Sequence, residues 1–314
     1  MSGGRLHLGL AAAGPADAEA WRQTLALAEW ADRSGFDSFW LPEGHLRPGA
    51  TSAPLLTLAA VAARTRRLRL GTTSLLLSIH DPVRVAADVA ALDQLSGGRV
   101  ILGVGRGFEP AMFRAFGIDP RSKRDRFDEA LDAILATWAD ASRAGDERLR
   151  PLQAPHPPIW VAAFGPKGLT QAARRGAPYL ASPIESFERI CENYRAHAAQ
   201  VPDDVDTRSL AVPVMRTVHV AKDAAEAQRV REATELEFAA IASRARGAIA
   251  ERAAGGAGDR VIVGEAGEVA DRIAAYRTAI GMDHLVVRPA SRTSASERLA
   301  SLARLVGDVS ARLT

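Results

Sequence analysis

The segment PVRVAADVAALDQLSGGRVILGVGRG, residues Pro82–Gly107, decides the fold. It opens with proline at an early helical position, where the missing N–H is one the helix would leave unpaired anyway. An amphipathic stretch runs on to Leu95 and stops at Gly97-Gly98. VILGV (Val100–Val104) follows, apolar at every position, as expected of a parallel strand covered on both faces. The segment then closes in a glycine-rich turn, GVGRG. An amphipathic helix, a glycine stop and a wholly apolar strand make one repeat of an α/β architecture.

Working outward, the same repeat recurs. Upstream lie LHLGL (Leu6–Leu10) with a helix between the cap signals Asp17 and Gly35, SFWL (Ser38–Leu41) with a helix from Pro54 to Arg64, and LRLGT (Leu68–Thr72). Downstream come a helix over Asp125–Ala141, IWVAA (Ile159–Ala163) with a helix over Gly168–Arg175, and PYLAS (Pro178–Ser182) with a helix over Phe187–Ala199. VMRTVHV (Val214–Val220) precedes two helical stretches, Ala224–Ala254 and Glu268–Ile280. HLVVRP (His284–Pro289) and a helix over Ser296–Leu313 close the series. Eight strand–helix units are what a closed parallel barrel requires. The expected fold is therefore a single (β/α)8 TIM barrel over residues 1–314, with insertions in the loops at the carboxyl ends of the strands. An open doubly wound sheet is the rival, but the first strand–turn–helix, LGLAAAGPADAEA, carries no glycine-rich dinucleotide loop. PLQAPHPP (Pro151–Pro158) reads as a rigid lead into the fifth strand, and Gly255–Gly258 as a loop at the barrel mouth.

Bulk properties remove several classes of function. With 47% hydrophobic and 25% charged residues, the 314-residue chain has the balance of a globular protein. Its one cysteine, Cys191, excludes a disulfide framework and a cysteine-based metal site, and no metal is expected. The net charge of +3 is spread over mixed-sign helices, with no basic run carrying interleaved aromatics, so no nucleic-acid partner is expected. The apolar run Leu6–Ala13 is interrupted by His7 and Gly9, and no window reaches the length of a membrane span. The chain reads as a soluble cytoplasmic protein without a membrane partner.

In such barrels chemistry sits just beyond the carboxyl ends of the strands. Those positions hold Pro42-Glu43-Gly44-His45, Thr72-Thr73-Ser74 continuing to His80-Asp81, Gly105-Arg106-Gly107-Phe108, Phe164-Gly165-Pro166-Lys167-Gly168, and Arg288. A histidine, two glycine-rich turns and several arginines at one rim predict a site for an anionic cofactor. Arg106 offers a forked cation for phosphate, and Arg124 at the next helix start joins it with a favourable helix dipole. The Gly165–Gly168 turn is expected to offer free backbone N–H groups to the same phosphate. His80 and Asp81 read as a turn and a helix cap. Trp40 and Phe108 read equally well as pocket wall and as core.

On these residues the chain resembles the bacterial luciferase-like superfamily of flavin- and deazaflavin-dependent enzymes. The matching stretches are FDSFWLPEGH (Phe36–His45), LRLGT, and HDPVRVAADVAALDQLSGGRVILGVGRGF with FRAFGID (His80–Asp119), extended by IWVAAFGPKG and RRGAPYLAS. The likeness covers roughly the first 180 residues; beyond them it rests on the barrel pattern. It implies reduced FMN supplied by a separate flavin reductase, oxygen as co-substrate, a small organic substrate, and a homodimer. It places the cofactor on Thr73, Ser74, Gly105, Arg106, Gly107, Arg124, Gly165 and Gly168, with His45 as the catalytic residue and a cis peptide at Thr73–Ser74. A deazaflavin-dependent hydride transferase and a non-catalytic barrel subunit of a heterodimer are the alternatives. Two departures stand out. The loop after the second strand reads Gly44-His45 where relatives commonly have two histidines, and Gly105 stands where luciferase has cysteine, which is expected to leave more room.

Overall fold

The computed structural model describes residues 5–15, 17–46, 51–163, 165–244 and 257–313. Strands and helices alternate through them. The strands are β1 (His7–Ala11), β2 (Ser38–Leu41), β3 (Arg69–Thr72), β4 (Leu75–Leu76), β5 (Val100–Gly105), β6 (Ile159–Ala162), β7 (Tyr179–Leu180), β8 (Pro213–Val220), β9 (Val261–Gly264) and β10 (His284–Pro289). The helices are α1 (Ala18–Ser34), α2 (Pro54–Arg64), α3 (Pro82–Ser96), α4 (Pro110–Ala115), α5 (Lys123–Ala144), α6 (Pro166–Ala173), α7 (Phe187–Ala198), α8 (Ala224–Arg244), α9 (Ala266–Ile280) and α10 (Ala295–Arg304). The chain divides into two compact units, residues 11–162 and residues 1–10 with 163–314.

In the unit of residues 11–162 every strand pairing is parallel: β2 with β3, β3 with β5, β4 with β5, and β5 with β6. The opening segment forms as its sequence dictates. Asp81 caps α3 by accepting the Arg84 N–H at 2.8 Å, Pro82 occupies the first turn, and Gly97 ends the helix at φ 71°. β5 is buried at all six positions. Arg99, between α3 and β5, donates to the carbonyls of Ala62, Thr65 and Leu68, tying the end of α2 to the start of β3.

In the sheet of this unit one tryptophan, Trp40, lies against a glycine. Trp40 on β2 sits in register with Gly71 on β3, and Trp160 on β6 with Gly103 on β5. The two indoles stack at 4.9 Å between ring centroids. A Cβ on Gly71 would lie 2.1 Å from Trp40 Cε3, so the ring occupies the space that a side chain there would need. Trp40 is fully buried, with its Nε1–H donated to Ser38 Oγ at 2.7 Å; it is core, not pocket wall.

In the other unit β1 pairs with β10, β10 with β8, and β8 with β9, again all parallel, while Ala181 beyond β7 bridges Val214. β8 is buried along its whole length and carries Arg216, whose Nε donates to the Tyr276 hydroxyl and whose Nη1 donates to the Ser182 carbonyl. His7 and His284 stack at 4.5 Å across β1 and β10.

The sequence reading needs several corrections: α4 was not foreseen, and the closing helix expected over Ser296–Leu313 is α-helical over Ala295–Arg304 and Ser310–Leu313 with a π-helical stretch, Leu305–Val309, between. β9 was not foreseen; it pairs with residues Thr217–Val220, so β8 carries a parallel neighbour between two stretches read as successive helices. β4 was not foreseen either. β7 is two residues long rather than five, and α6 starts at Pro166 and ends at Ala173. Of the helix expected over Ala224–Ala254, residues to Arg244 form α8, and 245–254 lie outside the described residues. The same holds for 255 and 256 of the Gly255–Gly258 loop, and for Phe164.

The tryptophan–glycine packing sets one expectation. Gly71→Ala forces the Trp40 ring out of its place and costs about 1–3 kcal/mol or more, to be read by chemical denaturation. A stability equal to wild-type would mean that Trp40 is not seated on Gly71.

Candidate cofactor and catalytic site

The loop leaving β2 brings a carboxylate inward. Its backbone is pinned by a bridge between Glu43 and Thr51 and by the Gly44 N–H donated to the Thr51 carbonyl at 3.0 Å. The Glu43 side chain is wholly buried. Its Oε1 lies 2.8 Å from His45 Nε2 and 2.8 Å from His80 Nε2, and its Oε2 accepts the Leu76 N–H at 2.7 Å. Burial alone pushes this carboxyl's pKa up. The hydrogen bond and charge of His80, the Leu76 N–H and the His45 hydrogen bond outweigh burial and hold it below the ordinary value. Glu43 is therefore ionised at neutral pH. The His45 ring meets the edge of Phe116 at 4.9 Å between centroids, and Phe116 is itself 43% exposed.

Here the sequence reading missed two residues. Asp81 is the cap it was taken for, but the preceding His80 turns its ring onto Glu43 instead of merely ordering a turn. Glu43 itself, quoted in the loop PEGH, was passed over in favour of His45.

Beside this cluster the Thr73–Ser74 peptide is cis, as the resemblance implies. The Thr73 N–H donates to the Leu41 carbonyl at 2.8 Å, and the chain then enters β4, with Leu76 opposite Gly105. The expectation of extra room at Gly105 is overturned. A Cβ there would fall 2.1 Å from Ser74 Oγ, so Ser74 already fills the space. Gly107 holds φ at 72°, a left-handed conformation that suits glycine and turns the chain towards α4.

Next to that turn stand three cations. Burial lowers the pKa of the Arg106 guanidinium, the Arg124 charge lowers it further, and Asp128 acts against both. Lys123 is lowered by burial and then by the charges of Arg106 and Arg124. Arg106, Lys123 and Arg124 thus share one electrostatic neighbourhood, with Asp128 acting on Arg106. The start of α5 has no side-chain cap from Ser122, so its first N–H groups and dipole add to the same field. Asp125 in that turn is exposed and is not among the groups that shift either cation. Lys123 was not singled out from sequence; the run SKRDR reads there as an ordinary mixed-charge helix surface. Phe108 is 43% exposed, in contrast to Trp40.

The remaining expected site residues lie in the other unit. Gly165 has φ 72° and precedes α6 without a side-chain cap, but Gly168 donates its N–H to the Gly165 carbonyl at 3.0 Å. That N–H is engaged within the turn, contrary to the expectation of a free donor. Arg288 is committed to Thr217 Oγ1 and Glu237. Among the described residues no set of histidine, cysteine and acidic side chains is arranged to hold a metal ion.

The sequence profile of the luciferase-like monooxygenases matches residues 1–284. The chain belongs to this family. Among relatives of this luciferase-like chain, an uncharacterized protein of Sinorhizobium fredii is 36% identical over 226 residues, 68% of this chain and 66% of that one. The 4-hydroxyprotoasukamycin monooxygenase of Streptomyces nodosus subsp. asukaensis is 40% identical over 173 residues, and the match spans 46% of its length. The oxygenase component of the flavin-dependent trigonelline monooxygenase of Acinetobacter baylyi is 26% identical over 91% of this chain and 88% of its own. Among solved structures, the monooxygenase RslO1 of Streptomyces bottropensis superposes with TM-score 0.79 at 27% identity, covering 98% of this chain and all of that one. The same fold occurs, at 19% and 18% identity and TM-scores of 0.79 and 0.72, in the oxygenating constituent of the 3,6-diketocamphane monooxygenase of Pseudomonas putida in complex with FMN and in the F420-dependent tetrahydromethanopterin reductase of Methanopyrus kandleri. These cover 98% and 99% of this luciferase-like chain and 99% and 100% of their own.

The Glu43 cluster gives a pH expectation. A carboxyl depressed in the folded state adds stability above its unfolded-state pKa and loses it as pH falls through the folded value. Glu43→Gln is therefore less stable than wild-type near neutral pH, and the gap closes as pH falls through the depressed folded-state value, below the ordinary carboxyl range. Denaturation midpoints across that fall in pH test this; a gap that persists unchanged at the acid end contradicts it.

Proposed function

We propose that this chain is the oxygenase component of a two-component monooxygenase, taking reduced FMN from a separate flavin reductase and acting with oxygen on a small organic substrate. The observation that carries the reading is the cluster of Arg106, Lys123 and Arg124 against Asp128 at the uncapped start of α5. The phosphate of FMN is a monoester that carries close to two negative charges at neutral pH, and a group of three neighbouring cations suits it.

When bound, reduced FMN would supply the electrons for oxygen chemistry. The protein's part is anchoring, orientation and proton handling. Arg106, Lys123 and Arg124 anchor the phosphate. Thr73, Ser74 and Gly105, with Ser74 filling the space beside Gly105, would hold the flavin ring, and Gly107 turns the chain after them. His45 holds or moves a proton at the reacting centre, and Phe108 and Phe116 offer the apolar surface that a small organic substrate needs. Retention of His45, Arg106 and Arg124 argues against a non-catalytic subunit, which has no need of a phosphate cradle. The wider reading, of one (β/α)8 barrel domain over residues 1–314 acting as a cytoplasmic homodimer, rests on the family.

Anaerobic titration with reduced FMN, and separately with reduced deazaflavin, tests the proposal. Reduced FMN binds, and alanine at Arg106 or at Arg124 weakens it about tenfold to a hundredfold each, as loss of a charged hydrogen bond requires. Rising salt weakens wild-type binding and affects the double variant less. Binding of deazaflavin alone, insensitive to admitted air, moves the protein to hydride transfer. If neither binds, the non-catalytic subunit becomes the reading.

A further inference from the structure

We infer that Glu43 is a positioning residue that fixes His45 in the Nε2–H tautomer and so makes Nδ1 the nitrogen that exchanges protons at the site. The inference rests on the reading above, in which His45 handles a proton, and specifies the atom that does so.

Donors and acceptors around Glu43 decide the tautomer. An ionised carboxylate only accepts, and a neutral imidazole has one donor nitrogen and one acceptor. Glu43 Oε1 faces two imidazole nitrogens, His45 Nε2 and His80 Nε2, each at 2.8 Å. Both must therefore carry their proton on Nε2 and donate it. The carboxylate cannot swing away to relax this requirement, because Oε2 is held by the Leu76 N–H and the Glu43 backbone by its bridge to Thr51. Its side chain is wholly buried, so no water competes for the shared oxygen. With Nε2 committed, the lone pair of neutral His45 resides on Nδ1. The Phe116 ring edge packed on the same imidazole restricts how far it can rotate.

His80 has a part in this arrangement. It supplies the second donor to the same oxygen, so the charge that orients His45 is anchored from the α3 side as well as from β4. The loop after β2 has glycine at 44; the second imidazole on Glu43 comes instead from the turn before α3.

Nitrogen-15 NMR of the histidine rings in the intact protein, without flavin, tests the inference. Signals are assigned with His45→Asn and His80→Asn variants. At a pH where His45 is neutral, wild-type shows it protonated on Nε2 with an unprotonated Nδ1. In Glu43→Gln the Leu76 N–H draws the amide oxygen to its side and turns the NH2 group onto both rings, so the rings lose their Nε2–H state. A wild-type His45 protonated on Nδ1 overturns the inference, as does a Glu43→Gln variant, folded by its amide spectrum, in which both tautomers persist. The wild-type measurement stands even if the variant fails to fold. Because no flavin is present, a negative result here is separate from failure of the reduced-FMN titration, which bears on the monooxygenase reading alone.

Discussion

A carboxylate buried beside apolar strands is tolerated only if its lone pairs find donors and its charge is offset. Glu43 meets that constraint with three donors drawn from three places in the chain: His45 from its own loop, Leu76 from β4 and His80 from the turn before α3. The short β4 strand, its pairing to β5 and the entry into α3 are thus held in mutual register by one ionised group. Removing it leaves a backbone N–H and two imidazoles without their acceptor. The same group governs which nitrogen of His45 faces the chemistry, so structural and functional demands converge on a single side chain.

A second constraint acts at the same carboxyl end of β5. Packing in the sheet is so close that glycine alone fits at 71, where Trp40 lies, while Ser74 fills the space beside 105. The strand therefore leaves the sheet through Gly105-Arg106-Gly107 with Arg106 carried towards the start of α5. Like charges gathered there repel one another and are partly desolvated, with Asp128 offsetting part of that cost at Arg106. An arrangement that is poor for a free protein is good for one that meets a dianion. The two tasks proposed for this unit, proton handling and phosphate anchoring, would fall to different side chains, the Glu43 cluster and the Arg106–Lys123–Arg124 cluster.

Much of this was legible in the sequence because the local signals agree with the fold. SFWL, the helix from Pro54 to Arg64 and the segment after Asp81 form within a residue of their expected bounds, since proline, glycine and capping residues mark their ends. VIVG escaped notice because four apolar residues between helical stretches do not distinguish a strand from helix. β4, at two residues, is too short to leave a pattern. The site shows the same division. Arginines beside glycine turns announce an anion, whereas a glutamate in a rim loop reads as solvated until its donors are seen. His80 was masked by its neighbour Asp81, whose capping role accounts for the turn without the imidazole. Lys123 was masked by the acids around it. In each case what was missing was a partner distant in sequence, and no period or motif encodes that.

The central claim is that a dianionic phosphate monoester is what the Arg106–Lys123–Arg124 cluster is built to hold. Phosphorus-31 NMR of reduced FMN bound anaerobically to the wild-type protein, followed through the second phosphate ionisation near about pH 6, tests it most directly. The account predicts a bound resonance that keeps the dianion position well below that pH, because the neighbouring cations favour the doubly charged form. A bound phosphate that titrates as it does in free FMN would contradict it.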